Sequence, residues 1–279
     1  MNPFQSLIRH GEVLLLPGVH DALSARMAED LGFQGLCIGG AATGIVQFAL
    51  PDIGLLSFGE YSDCVARIGA STRLPVLLDA EDGFGDAKAV TRTVRGFERM
   101  GIAGLIIEDL VPLAAGAPVS VVPVPVIQAK LEAALAARAS DDTWIVGRTD
   151  AGHANLHEEV CRRARRFEEV GVDALLATGL RDLDDMKRLR DAVDLPLIAL
   201  VVETKPWVRP TRDDILAAGF EIAMHPAALM LAVAETARST LTALRDGTAL
   251  PAPPSSQLGA LQRSLRVDEW QRLDARARP

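Results

Sequence analysis

Cysteine is scarce in this chain. Cys37, Cys64 and Cys161 are the only three in 279 residues, an odd number with no Cys-x-x-Cys pair. That spacing supports neither a disulfide scaffold nor a structural zinc site, and it fits a reducing compartment. No apolar run approaches the ~20 residues of a membrane span. Near the N-terminus the one apolar run, residues 13–16, is too short for the core of a signal peptide. A soluble, cytoplasmic protein without a membrane partner is therefore expected. Dense basic sequence is missing too: 29 Lys and Arg stand against 37 Asp and Glu, for a net charge of −8. Such a chain is a poor partner for nucleic acid. The single basic cluster, Arg162, Arg163, Arg165 and Arg166, is interrupted by Ala164 and followed by Glu168 and Glu169. It reads as a solvated helix face. There is no sign of a Ser-His-Asp triad, a G-x-S-x-G elbow, a P-loop or an H-E-x-x-H pair, and Cys37 has no basic neighbour in sequence to activate it.

What the chain does have is an ordinary globular balance, 49% hydrophobic and 24% charged, which excludes wholesale disorder. Its length suits one large core or two small domains. Eight short, nearly continuous apolar runs recur at 13–16, 35–38, 75–79, 104–108, 143–148, 174–177, 196–202 and 221–224. Continuous rather than alternating hydrophobicity marks strands covered on both faces of a parallel sheet. Amphipathic stretches lie between them at 21–31, 88–100, 126–138, 158–170, 182–192 and 212–218. A weak internal repeat joins helix to strand: Leu31-Gly32-Phe33, Met100-Gly101-Ile102, Val170-Gly171-Val172 and Ala218-Gly219-Phe220 each place a glycine before an aliphatic or aromatic residue. That glycine is expected to end a helix in the left-handed conformation. Eight right-handed βα units close into a (β/α)8 barrel of the TIM type. A doubly wound open sheet is the alternative, but Pro17-Gly18-Val19-His20-Asp21 after the first strand does not match G-x-G-x-x-G. The barrel is expected over residues 1–247. Residues 248–279 form a proline-rich linker and a helical segment over 257–276, with Leu258, Leu261, Leu265 and Trp270 on one face. That segment either packs on a neighbouring subunit or folds back on its own barrel.

Active residues of such barrels gather at the C-terminal ends of the strands. Those ends are Gly39-Gly40-Ala41, Asp79-Ala80-Glu81-Asp82, Glu108-Asp109, Arg148-Thr149-Asp150, the vicinity of Glu203, and His225. Three carboxylates, Asp79, Glu81 and Glu108, would repel one another in a confined mouth unless a cation neutralises them or protons are retained. An all-oxygen set suits Mg²⁺ or Mn²⁺ rather than zinc, with Asp79 as the direct ligand and the others acting through water. Singly, each acid reads equally as a helix cap or a surface ion pair. Gly39 and Gly40 either offer open N–H groups to an anion or form a simple turn. Arg148 presents a planar fork to a substrate carboxylate, or pairs with one of the acids. His225 is a candidate acid/base or substrate donor, or a structural histidine.

The run Pro17-Gly18-Val19-His20-Asp21-Ala22-Leu23-Ser24-Ala25-Arg26 resembles the opening motif of the isocitrate lyase/phosphoenolpyruvate mutase superfamily. Leu50-Pro51-Asp52-Ile53-Gly54 is similar to its gating segment, Asp79 to Gly85 to its DADTGYG, Ile107-Glu108-Asp109 to its IED, and Gly147-Arg148-Thr149-Asp150-Ala151 to its ARTDA. The resemblance runs in order from about residue 13 to 247. It implies an α/β barrel with Mg²⁺ or Mn²⁺ acting on a small α-keto or α-hydroxy carboxylate through an enolate. Asp79 would hold the metal directly, with Asp52, Glu81 and Glu108 in its water-linked shell. Gly39, Gly40 and Ala41 would receive the substrate carboxylate or enolate, and Arg148 its far end. The C-terminal helix resembles the one that relatives exchange between subunits of a tetramer, a dimer of dimers.

Within the superfamily the departures are informative. Lyases carry a Lys-Lys-Cys-Gly-His loop after the IED whose cysteine is the acid/base; here residues 110–118 contain no Lys, Cys or His. The Lys and Asn of mutases and phosphonopyruvate hydrolases are missing as well. Oxaloacetate decarboxylases resemble the chain best, since they lack the lyase loop and place a histidine near the end of strand eight, where His225 stands. Glu81 replaces the usual aspartate, Ala41 a serine and Cys37 a tyrosine common in lyases. The expected function is metal-dependent decarboxylation of oxaloacetate or a related β-keto acid through a metal-stabilised enolate, with Arg148 and His225 on the substrate. The alternatives are a 2-methylisocitrate lyase-like carbon-carbon lyase, a phosphonopyruvate-type hydrolase or mutase, and a diverged barrel that binds ligand without turnover.

Overall fold

The computed structural model describes residues 2–112, 118–202, 209–250 and 256–277. Eight parallel strands, β1 Leu14–Pro17, β2 Leu36–Ile38, β3 Val76–Asp79, β4 Gly104–Glu108, β5 Trp144–Thr149, β6 Ala174–Ala177, β7 Leu197–Leu200 and β8 Ile222–His225, form one sheet. Its order is β1-β8-β7-β6-β5-β4-β3-β2, and a parallel bridge between Gly18 and Cys37 joins the two ends. The sheet therefore closes on itself as the expected TIM-type barrel. Glu203 after β7, residues 113–117 after Asp109 and the linker 251–255 lie outside the described residues.

The helices are α1 Pro3–Leu7, α2 Ala22–Asp30, α3 Gly40–Phe48, α4 Phe58–Gly69, α5 Ala87–Arg99, α6 Val124–Ala137, α7 His157–Val170, α8 Leu183–Arg190, α9 Arg212–Ala217, α10 Ala228–Arg245, α11 Ser256–Ser264 and α12 Val267–Ala277. Gly32, Gly101, Gly171 and Gly219 all have positive φ just after α2, α5, α7 and α9. They end those helices as the repeat predicts, because a left-handed residue turns the chain back into a strand at little steric cost only when it lacks Cβ.

Leu16, Leu77, Ile106, Val146, Leu176, Ile198, Ile222 and Met224 fill the barrel, and a second apolar layer lies between strands and helices. Each large side chain so buried contributes roughly 1.5–3 kcal/mol. The short α1 closes the lower end: Phe4 is fully buried beside Trp144, and Asn2 donates to the carbonyls of Ala103 and Asp142 at 2.8 and 2.6 Å.

Two expectations need correction. The basic cluster on α7 is not uniformly solvated: Arg163 is buried and donates to Asp109 Oδ2 at 2.8 Å and to the Val122 carbonyl at 3.0 Å. Its neighbours Arg162 and Arg166 pair with Glu159 and Glu169 nearer the surface. The C-terminal helical segment is two helices, broken where Arg266 takes a φ of 54°. Its α11 leans on α2 of the same chain, where Arg266 lies 3.6 Å from Glu29. Among the described residues no helix is long and apolar enough to cross a membrane.

Candidate active site

Alternation along the strands sets the site. Leu77, Ile106 and Val146 point into the barrel, so Asp79, Glu108 and Arg148, two residues on, face the same axis one layer higher. Glu108 and Arg148 stand opposite each other in the β4–β5 register. The Arg148 guanidinium lies among three carboxylates: Nη1 is 2.7 Å from Asp79 Oδ2 and 2.8 Å from Glu108 Oε2, and Nη2 donates to Asp150 Oδ1 at 2.9 Å. Nε comes within 2.9 Å of Asp150 Oδ2, but the pair is out of line for a hydrogen bond and leaves both atoms unsatisfied. Of the two roles the sequence leaves open for Arg148, the structure displays the pairing with acids.

The charges are held under tension. Burial pushes Asp79 up from the ordinary carboxylate range and Glu108 well above it, with Arg148 as the main opposing influence on both. Glu81 is pushed up to about 8 by burial, then by the nearby charges of Asp79 and Asp52. Arg148 is lowered by its own burial, but Asp150, Glu108 and Asp79 more than reverse this and keep it cationic. One guanidinium thus serves three acids, Asp79, Glu108 and Asp150, at a rim that also holds Glu81. The remaining demand for positive charge is what an added cation would meet.

The loop after β3 is tightly fixed. Glu81 and Phe84 adopt left-handed φ values of 55° and 61° with Gly83 at 83° between them. Asp79 Oδ1 accepts from the Glu81 amide at 3.1 Å, and the Tyr61 hydroxyl donates to the Asp79 carbonyl at 2.9 Å. From α6, the buried Lys130 donates to the Asp82 carbonyl at 2.8 Å and to its Oδ2 at 2.9 Å. Asp52 lies in an exposed turn after α3.

Gly39 and Gly40 do not form a simple turn. Gly39 is the N-cap of α3 and Gly40 its first residue, followed by Ala41, and no side chain caps the helix. Its leading N–H groups and positive dipole end are therefore available to negative charge. Glu81 reaches this point: a Cβ on Gly40 would lie 1.7 Å from Glu81 Oε1. Gly40→Ala should accordingly displace the Glu81 carboxylate and lower turnover about 10–100-fold, the usual cost of disturbing a metal's outer shell. The check is steady-state kinetics beside an unchanged far-ultraviolet circular dichroism spectrum; full activity in Gly40→Ala would remove Glu81 from the site.

His225 ends β8, half-buried, on the alternate phase from the inward Met224, and its carbonyl accepts from the Gly18 amide at 3.0 Å. Cys37 is fully buried in the barrel, where burial first and Asp79 second push its thiol far up, so it offers no thiolate. Sequence reasoning passed over Asp150, although it belongs to the Arg148 motif; Thr178 Oγ1 donates to it at 2.8 Å and the Asp109 carboxylate accepts from its amide at 2.8 Å. It also passed over Tyr61 and Lys130, which leave no signal outside the fold.

The donor chemistry fits a hard divalent ion. Among the described residues no three His, Cys, Asp or Glu side chains form a ready cage; the rim's oxygen-only donors are of the type that Mg²⁺ takes, through one or two carboxylates with retained waters. A pH trend follows. A carboxyl whose pKa folding raises contributes stability below its ordinary value and loses it as pH climbs to the folded value; for Glu81 that window runs from 4.5 to about 8. Asp79 and Glu108 shift in the same direction. Protein kept free of divalent ions should melt at progressively lower temperature from about pH 5 to about pH 8.5, and added Mn²⁺ should recover more at the higher pH. A flat or reversed trend in differential scanning calorimetry would contradict the electrostatic assignment.

Comparison with known proteins gives the family. The family model for phosphoenolpyruvate phosphomutase matches residues 4–245. Oxaloacetate decarboxylase of Chromohalobacter salexigens is 35% identical over 274 residues, 96% of this chain and 92% of that protein. Oxaloacetate decarboxylase of Bradyrhizobium diazoefficiens is 34% identical over 274 residues, 97% and 93% of the two chains. Among solved structures, oxaloacetate acetylhydrolase with the product oxalate superposes with a TM-score of 0.90 at 27% identity, covering 99% of this chain and 96% of that one. A 2,3-dimethylmalate lyase of the same superfamily gives 0.86 at 27% identity over the whole of both chains. Phosphonopyruvate hydrolase in complex with oxalate and Mg²⁺ gives 0.80 at 26% identity, covering 96% and 98%. With its closed barrel, ordered motifs and full-length matches, the chain belongs to the phosphoenolpyruvate phosphomutase family of the isocitrate lyase/phosphoenolpyruvate mutase superfamily.

Proposed function

We propose that this protein is a divalent-metal-dependent decarboxylase of oxaloacetate or a closely related β-keto acid. The observation that carries the reading is the rim itself: Asp79 and Glu108 converge on Arg148 beside the uncapped start of α3, and the one cysteine in the barrel is buried as a thiol. Loss of CO₂ leaves the bonding electron pair on the former keto acid as an enolate, which is then protonated to the product. No strong base is required, in keeping with a loop after Asp109 that has neither Lys nor Cys. The relatives named oxaloacetate decarboxylase support the substrate.

Asp79 would hold Mg²⁺ or Mn²⁺ directly, with Asp52, Glu81 and Glu108 reaching it through water. When bound, the ion supplies Lewis acidity toward the keto oxygen. Gly40 and Ala41 N–H groups at the head of α3 share the negative charge that builds there, with Gly39 leaving the approach open. Arg148, steadied by Asp150, meets a substrate carboxylate through the Nη1 edge that Asp79 and Glu108 otherwise share. His225, on the alternate phase at the end of β8, is left out of this contact, although the sequence offered it as a substrate ligand.

The test is incubation with oxaloacetate and Mn²⁺, with and without chelator, following pyruvate above the uncatalysed background. Pyruvate production abolished by chelator is expected; none in either case would reject the reading. A second reading, hydrolytic cleavage of the same substrate, is favoured by the fit to oxaloacetate acetylhydrolase, and oxalate among the products would select it.

The same reading includes a homo-oligomer assembled through the C-terminal helices. No residue of α10 is buried, and Leu258, Leu265, Trp270 and Leu273 are 65, 45, 66 and 50% exposed in the single chain. Large apolar side chains exposed along these helices suit a face that a second copy covers. Deleting residues 248–279 should lower the sedimentation coefficient to that of a smaller assembly; an unchanged oligomer would exclude helix exchange.

A further inference from the structure

The strongest unassigned feature is an open groove of about 430 Å³ on the outer face of α5, lined by Lys88, Thr91, Arg92, Arg95, Gly96 and Arg99 with Phe58 as its floor. We propose that this groove is a binding site for a metabolite carrying two or more phosphate groups. Lys88, Arg92, Arg95 and Arg99 are spaced i, i+4, i+7 and i+11, so they share one helical face over roughly 16 Å. All four are exposed. Lys88 has a solvent-exposed partner, Asp86 at 3.2 Å, but among the described residues no carboxylate pairs with Arg92, Arg95 or Arg99. These three guanidinium groups stand in line on one helix of a chain whose net charge is −8. Arg138, Arg163, Arg181 and Arg188, by contrast, pair with acids.

The groove is built, not merely charged. Gly96 sits inside α5, where glycine is a poorer helix former than alanine. A Cβ there would lie 2.9 Å from Phe58 Cζ. The missing side chain lets the Phe58 ring lie against the helix, and Arg92 is held over that ring at 5.6 Å. A single carboxylate would satisfy one of these cations. A di- or triphosphate carries enough charge for several of them, and guanidinium forks suit phosphate oxygens bidentately. The site also abuts the catalytic rim: Phe58 packs edge-on against Phe84, in the loop that carries Glu81, with ring centres 5.5 Å apart.

Titration calorimetry of inorganic tripolyphosphate into the full chain, free of divalent ions and at about 0.15 M salt to screen non-specific attraction, tests the assignment. One site per chain with Kd below about 1 mM is expected, weakened at least tenfold in Arg92→Ala/Arg95→Ala and unchanged in Arg165→Ala, an exposed arginine of α7. ATP binding more tightly than tripolyphosphate would identify a nucleotide as the source, and the reverse order a simpler phosphorylated compound; both support the site. Weaker binding, equal binding by the double variant, or tighter binding of citrate would overturn it. So would a changed oligomer in the double variant, which would make this face a contact between copies.

Discussion

Asp79→Asn is expected to lower metal-dependent turnover by at least about 10³-fold while leaving the fold intact. Asparagine keeps the shape of aspartate and can still accept from the Glu81 amide, but it carries no charge to hold a cation. Electrophilic assistance from a bound divalent ion supplies several kcal/mol of transition-state stabilisation, and each 1.36 kcal/mol is about tenfold in rate. On this assignment Glu108 and Glu81 act through water and would not take over as the direct ligand. Stability should move little. Arg148 loses one partner but keeps Glu108 and Asp150, and one of several mutually repelling acids is neutralised. The discriminating measurements are Mn²⁺ affinity by calorimetry and kcat at saturating Mn²⁺. Wild-type turnover in Asp79→Asn would reject Asp79 as the metal ligand, whatever the substrate proves to be.

Much of the barrel was legible because its grammar is local. A buried parallel strand needs only a short apolar run, and each of four helices announces its end by a glycine that the structure finds with positive φ. The rim acids were legible for a related reason: each charged residue closes an otherwise apolar strand, so position alone places it at the mouth. Helices that depend on tertiary context were not. Gly40, Thr43, Gly44, Ile45 and Val46 give α3 a poor intrinsic helix propensity, and it forms where the barrel mouth uses its N-terminus. α10 has no buried face for an amphipathic stripe to mark. Phe4 plugs the barrel from a helix of five residues, too short to show a period. Arg163 shows the limit of charge patterning, since its sequence neighbours are solvated while its own guanidinium reaches a buried aspartate 54 positions earlier.

Arg148→Met should produce the largest loss of stability of any single change at the rim, and the loss should be recoverable by metal. Arg148 is the one cation bound by Asp79, Glu108 and Asp150 together, and it is buried with them. Removing one partner of a buried ion pair typically costs 3–5 kcal/mol because uncompensated charge is left behind. In a chain of this size that corresponds to a fall in melting temperature on the order of 10 °C. Methionine fills most of the volume, so the effect isolates charge from cavity formation. The stranded carboxylates can then be neutralised by protons or by a divalent ion. Two consequences separate this account from simple damage to the core: the deficit should shrink as pH falls through the raised carboxyl range, and Mn²⁺ should raise the variant's melting temperature by more than it raises the wild type's. Turnover should remain low even when stability is restored, because methionine offers no donors to a substrate carboxylate. Arg148→Lys should fall between the two, retaining the charge but not the fork that reaches three acids at once. If Mn²⁺ stabilised wild type and Arg148→Met equally, the guanidinium and the metal would not be answering the same negative charge, and the electrostatic picture of the rim would have to be abandoned.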